Sequence, residues 1–372
     1  MQVASSGWRL MLMPVDTEMA NMYPDKRDNQ IDKMLLRYTS GILLVLMLIA
    51  GSAIEVRGQV IRGTVIDSQT DDAVSFASVF FSGTIVGTVA DENGEFELDI
   101  SRHATLPLSV SAIGYSSVSL EGISTSEPLL VYLTPMVYDI PAIDISGRSL
   151  ERERMANLQN FRNQFLGMTS YAGRCEILNE EDITFNYGSE SDTLKAVALK
   201  PLQIHNKALG YIITFYLENF EYCRGSRNVI YTGKFIFTDD GSGRISGSFN
   251  EIRRNNVYGG SIMHFFRSLW ADDLEAQGFS VLDQAGNSLS YQDIVIIEEG
   301  QKYLVCPENL IISYFGYSGT GRVRNTRSFL RLLKDRVSFQ ECGYFDPVAI
   351  ILGGDMGRQR VGDMLPIGFV PK

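Results

Sequence analysis

Between Val60 and Leu133 the chain is a succession of short β-rich runs, each ended by turn residues after eight to twelve positions. That cadence constrains the fold more than any other feature. Val60 to Asp67 alternates and then meets Ser68-Gln69-Thr70-Asp71-Asp72. Ser75–Phe81, Thr84–Ala90, Glu95–Ile100, Leu108–Ile113, Ser116–Leu120 and Leu129–Leu133 follow. Seven short strands with no helical period between them predict a β-sandwich. The strongest local signal is Asp91-Glu92-Asn93-Gly94-Glu95, because Asn-Gly tolerates the positive φ that a tight hairpin requires. A calcium loop would need its glycine sixth and a carboxylate twelfth; here glycine is fourth, so the segment reads as a turn.

Ahead of this cadence, residues 41 to 54 form the one long uncharged apolar run, with Lys33 and Arg37 before it and Glu55 and Arg57 behind. The run is shorter than the roughly 20 residues of a spanning helix. A basic start, a short apolar core and small residues after it predict a secretory signal peptide over 34–58. Cleavage after Gly58 would leave Gln59 first, and Met34 would be the true start, with 1–33 a doubtful extension. No cysteine marks a lipid-anchored boundary, and no transmembrane span is expected in the mature chain.

Removing residues 1–58 takes six basic and six acidic residues, so the net charge of -11 belongs to what remains. Such an acidic chain is not expected to bind nucleic acid, which needs clustered Lys and Arg. Three His and four dispersed Cys predict no multi-ligand metal site and no cofactor. Export permits disulfides among Cys175, Cys223, Cys306 and Cys342; bridges and free thiols both fit their spacing.

Gly63-Thr64-Val65-Ile66-Asp67, Ala77-Ser78-Val79, Gly87 to Phe96 and Ile113-Gly114-Tyr115 together resemble the carboxypeptidase regulatory-like domain. The resemblance implies a transthyretin-like, seven-stranded, non-catalytic sandwich over 59–137, of a kind often joined to envelope proteins and TonB-dependent receptors of Gram-negative bacteria. Neither a receptor barrel nor a carboxypeptidase is expected after it. His103, His205 and His264 are followed at the third position by Leu106, Ala208 and Arg267, where a zinc carboxypeptidase needs Glu.

A connector is expected over 138–148 and a larger domain over 149–372. Met155, Leu158, Phe161 and Phe165 predict an amphipathic helix that Gly167 stops. A second helix is expected between Gly260 and Gln277, capped by Ser261. Strands are expected at 176–177, 184–187, 194–199, 203–204, 211–220, 229–238, 244–249, 295–297, 302–305, 310–315, 329–333 and 337–339. The overall expectation is mainly β, a sandwich followed by a larger mostly β domain with two helices. Phe165 to Thr169, Cys175 to Asn179, Pro201 to Tyr211, Tyr231 to Gly233, Gly260 to Leu269 and Asp363 to Pro366 resemble the companion domain such sandwiches carry in exported bacterial proteins. That resemblance brings no reaction.

Candidate chemistry is sparse. His264 beside Arg267 could bind an acid, but reads better as a part-buried, hydrogen-bonded ring; His205 reads better as a loop residue. Cys175 or Cys223 paired with His205 or His264 would make a cysteine hydrolase. No Gly-x-Ser-x-Gly, phosphate-loop or His-Glu-x-x-His motif occurs. Tyr211, Phe215, Tyr216, Phe220 and Tyr222 could stack on sugars, though sheet packing uses the same residues. The reading is therefore a non-enzymatic, exported envelope protein in the periplasm or at the outer membrane. No catalytic, cofactor or metal residues are assigned, and its partner is another envelope protein, a glycan or a peptide. The alternative is a hydrolase with a Cys/His or carboxylate site in the second domain.

Overall fold

The computed structural model describes residues 59–136, 148–188, 192–306, 308–317, 321 and 323–372. The expected signal peptide and nearly all of the connector lie outside the described residues.

The seven expected strands are present: β1 (Val60–Asp67), β2 (Ser78–Phe81), β3 (Gly87–Val89), β4 (Glu95–Asp99), β5 (Leu108–Ser111), β6 (Val118–Leu120) and β7 (Leu129–Leu133). They form two sheets, β4-β1-β7 and β3-β2-β5-β6, with β1 antiparallel to β4 and parallel to β7. Alternation along the strands puts Val65, Val79, Phe81, Leu108, Val110 and Leu133 wholly inside. Each such side chain contributes about 1.5–3 kcal/mol by leaving water. The Asn93-Gly94 turn forms as expected. Asp91 Oδ1 accepts the N–H groups of Asn93 and Glu95 at 2.8 Å, and Gly94 sits at φ +73°. The Gly-Tyr corner closes the sandwich on β1, where Tyr115 OH donates to Asp67 Oδ2 at 2.9 Å.

Helix α1 (Arg148–Phe165) opens the larger part of the chain. Leu158, Phe161 and Phe165 are buried, while Met155, the first residue of the expected stripe, is exposed. The buried stripe packs on a six-stranded sheet of β8 (Cys175–Ile177), β9 (Ile183–Gly188), β10 (Thr193–Ala198), β11 (Leu202–Asn206), β12 (Tyr211–Cys223) and β13 (Asn228–Asp239). Strand β12 is its spine: β13 runs along one edge, and β11 and β10 share the other. Phe161 and Phe165 meet Phe215 and Phe220 of β12 edge-on. Tyr211, Phe215, Phe220 and Tyr222 are thus core residues.

Gly243–Tyr258 is helix α2, where the sequence predicted a strand at 244–249. Asn250, Arg253 and Arg254 bond toward the sheet, Phe249 and Ile252 lie outside, and Val257 and Tyr258 join the core at the helix end, so the apolar pattern conceals the helical period. Buried Asn250 donates to Ser242 Oγ at 3.1 Å. Arg254 Nε donates to Leu209 O at 2.7 Å, and its guanidinium lies 4.0 Å from the Tyr211 ring centre.

The expected 260–277 helix is realised as α3 (Ile262–Trp270) followed by turns, and Ser261 caps it by accepting the His264 N–H. Its Phe265, Phe266 and Leu269 enter a third core. Two sheets enclose that core. One is β14 (Phe279–Leu282), β17 (Leu310–Tyr317), β18 (Val323–Leu332) and β20 (Ile350–Gly353). The other is β15 (Val295–Glu298), β16 (Gln301–Val305) and β19 (Arg336–Phe339). Strands β14 and β20 and the short helices α4 (Tyr291–Ile294) and α5 (Gly354–Arg358) were not expected.

Residues 58–372 form one compact unit. The sandwich is fastened to the edge of β13: Gly83 N–H donates to Phe235 O at 2.8 Å, and Phe237 N–H to Thr84 O at 2.9 Å. Gly83 also accepts the Ile367 N–H at 2.8 Å, and Ile367 packs on the sandwich core. Gly83 has φ +78°, which only glycine adopts cheaply. Tyr216, on the opposite face of β12 from the core aromatics, stacks on Phe80 of the sandwich at 5.3 Å.

Candidate functional site

A cleft of about 740 Å³ lies at one end of the six-stranded sheet. Its walls come from three stretches far apart in sequence: 173–176 with β8, 205–207 with β11, and Asp240, Ser242, Asn250 and Arg253 around the start of α2. The register sets which side chains face it. His205 stands opposite Glu176, and Asn206 stands opposite Cys175. Neighbours along a strand point to opposite faces, so His205 and Glu176 share one face, and Cys175 and Asn206 the other.

His205 Nε2 lies 3.0 Å from Asp240 Oδ2. Burial pushes the Asp240 carboxyl up, but the Ser242 hydroxyl, the Ser242 N–H and His205 outweigh it and hold the group below its usual range. Asp240 is therefore an anion at neutral pH, fixed by a tight turn in which Ser242 N–H donates to Oδ1 at 2.9 Å. Lys207 pairs with Glu176 across the mouth, and that contact is the main reason the Glu176 carboxyl lies low. Arg253 reaches Ala208 O at 3.3 Å and Asn250 Oδ1 at 3.4 Å. Arg174 is exposed at the rim. The cleft thus carries three cations, two carboxylates and a histidine.

The cysteine chemistry considered from sequence is not assembled. Cys175 borders the cleft but packs against the core; its Sγ lies 3.6 Å from Tyr171 O, and burial pushes its thiol up to about 12. Cys223 lies eleven residues along β12 from Ile212, the partner of His205, which is about 36 Å at 3.3 Å per residue. All four cysteines are free. Ser242 bonds to Asp240 rather than to His205, so it lacks a base.

His264 is buried on α3 and fully used. Gly260 N–H donates to its Nδ1 at 3.1 Å, which places the ring proton on Nε2, 3.3 Å from Gln277 Oε1. Burial lowers its pKa, so the ring is neutral at pH 7. Arg267 holds the carbonyls of Cys342, Ile367 and Phe369 at 2.9, 2.6 and 2.7 Å, which occupies the guanidinium in anchoring the C-terminal segment. Neither residue faces an open site. Among the described residues, no group of three or more His, Cys, Asp or Glu is arranged to hold a metal ion.

Sequence reasoning singled out His205 and Cys175 but not Glu176, Lys207, Asp240, Ser242 or Arg253. The one local trace in the sequence is Asp239-Asp240-Gly241-Ser242-Gly243, the turn that aims Asp240.

The closing corner at Tyr115 and Asp67, the Asn93-Gly94 hairpin and the two-sheet topology are the parts that the sequence motifs required together. Residues 61–131 match the CarboxypepD_reg-like domain family. The matched stretch runs from the second residue of β1 to the middle of β7, and it holds none of the cleft residues. No curated protein matches the chain. Among solved structures, it is similar to a protein from Bacteroides fragilis NCTC 9343 described as membrane-associated and of unknown function. The identity is 10%, over 79% of this chain and 94% of that one, with a TM-score of 0.16. A score that low does not establish a shared fold. Among the described residues, no helix is long and apolar enough to cross a membrane.

Proposed function

We propose that the chain is an exported, non-enzymatic cell-envelope protein whose larger domain binds a partner in the His205–Asp240 cleft. The regulatory-like sandwich would stiffen that domain along β13. One observation carries the reading: the cleft groups recognition residues of both signs and holds no activated nucleophile. Its thiol faces the core in protonated form, and its hydroxyl is committed to Asp240. Export is supported by the 41–54 run and its basic flank.

The His205–Asp240 pair is the single feature a hydrolase would share, since a carboxylate orients a histidine in many such sites. That neither a hydroxyl nor a thiol is bonded to the imidazole supports reading the pair as a binding element. A photo-crosslinking residue at Lys207 in the full chain, expressed in cells, tests the proposal. Adducts to an envelope component, on a mature chain beginning at Gln59, are expected. A chain retaining 41–54 in the cytoplasm, with no adduct, would overturn it.

A further inference from the structure

The sheet β14-β17-β18-β20 buries one face over α3 and leaves the other open. Strand alternation gives the outward residues directly. Phe315 and Tyr317 project from β17, Arg327, Phe329 and Arg331 from β18, and Ile351 from β20. The four apolar members are 54%, 69%, 46% and 50% exposed, taking Phe315, Tyr317, Phe329 and Ile351 in turn. They fall in two groups, Phe315 and Tyr317 toward one end and Phe329 and Ile351 toward the other, with Arg327 in the row between, and exposed large side chains of this kind on a sheet face mark an interaction surface.

Its charge is the opposite of the molecule's. The four strands contain no Asp or Glu and three Arg, in a chain with 44 acidic and 33 basic residues. Among the described residues, the guanidinium groups of Arg327 and Arg331 have no hydrogen-bond or ion-pair partner. Asp355 lies at the margin, but it accepts the backbone N–H of Arg327 at 2.9 Å and pairs with Arg358 at 3.5 Å.

These features select the occupant. Two strands of four residues, one of eight and one of ten, at 3.3 Å per residue and about 4.8 Å apart, present roughly 400 Å². A stable protein dimer buries about 800 Å² per partner, so the face is small for a second copy. A two-fold contact would also bring the Arg327 and Arg331 of both copies together on faces whose strands supply no carboxylate to pair with them. Aliphatic Ile351, opposite Arg331 and diagonal to Phe329, suits apolar side chains better than sugar faces. Along β18, Arg327, Phe329 and Arg331 follow one another on the same side, about 6.6 Å apart. An extended strand presents its own alternate side chains at that interval.

We propose that this face docks an extended acidic peptide segment of a partner protein, with Glu or Asp at positions i and i+4 and an apolar residue at i+2. The carboxylates meet Arg327 and Arg331, and the apolar side chain lies between them on Phe329. The site is separate from the cleft, and its test stands whether or not the cleft binds anything.

The test uses the full chain and fluorescein-labelled dodecamer pools with Glu-x-apolar-x-Glu spacing. A pool with Lys for Glu, a pool with the Glu residues at i and i+3, polygalacturonate and phosphatidylglycerol vesicles serve as competing probes. Anisotropy is expected to show binding by the first pool alone, weakened at least tenfold by Arg327→Glu/Arg331→Glu and by Phe329→Ser. The milder Arg327→Gln/Arg331→Gln, checked for an unchanged melting curve, should weaken it in the same direction. No binding by the acidic pool, binding indifferent to all three variants, or tighter Arg-dependent binding of polygalacturonate or vesicles would overturn the proposal.

Discussion

Asp363 sits in the turn after α5, 7% exposed, in the segment that Arg360 ties to Gln164 of α1 and Gly362 ties to Asn206 of β11. Thr169 Oγ1 donates to its Oδ1 at 2.7 Å, while Oδ2 has no hydrogen-bond partner. Burial outweighs the Thr169 bond, the Arg360 N–H and the Arg324 charge, and pushes the carboxyl up from 3.8 to about 6. Between those two values the folded chain keeps a proton that the unfolded chain has released. Stability therefore falls as pH rises from about 3.8 to about 6, and this contribution is flat above. The interval corresponds to about 3 kcal/mol at roughly 1.4 kcal/mol per factor of ten. Asp363→Asn keeps the Thr169 bond and cannot ionise. Urea unfolding of both proteins at pH 4 and pH 7 gives the difference curve, from which all other titrations cancel. The variant is expected to gain about 2.4 kcal/mol relative to the parent between those pH values, the part of the full difference that falls between pH 4 and pH 7. A difference that changes by less than about 1 kcal/mol, with equal m-values, would refute the buried-carboxylate argument.

Other consequences can be measured as directly. Ile367→Asp places a carboxylate against the sandwich core, so calorimetry should resolve two unfolding transitions where the parent shows one; a single transition in the variant would contradict the docking. Iodoacetamide at pH 7.5 should modify Cys223 first, because hydrogen bonds from Ser226 lower its thiol, and should spare Cys175, held at about 12 by burial; mass mapping reads the order, and early loss of Cys175 would count against its placement. His264→Ala removes a buried ring and the acceptor for Gly260 N–H, and should cost about 2–4 kcal/mol in urea unfolding; a loss under about 0.5 kcal/mol would show the ring is not structural.

The sandwich was legible because its signals are local. Asn93-Gly94 dictates a hairpin within five residues, and β1, β4 and β5 each carry their own alternation. The joined domain was legible only in part. Strands β12 and β13 are long and aromatic, and α1 and α3 bury conventional apolar stripes. Helix α2 was misread because Asn250, Arg253 and Arg254 form its inner face, where polar side chains satisfy the carbonyls of Ala208 to Gly210. Strands β14 and β20 are four residues each, too short to show a period. The cleft was least legible. Register between β8 and β11 decides that His205 faces Glu176 and not Cys175, and a one-residue slip would have reversed that chemistry.

The central claim is that the cleft recognises a partner without nucleophilic chemistry. Treating the full chain with a fluorophosphonate and a vinyl sulfone probe at pH 7.5, in the parent and in His205→Ala, and mapping adducts by mass spectrometry, tests it most directly. The account predicts no adduct at Ser242 or Cys175 in either protein. A stoichiometric adduct at one of them in the parent, lost in His205→Ala, would contradict it.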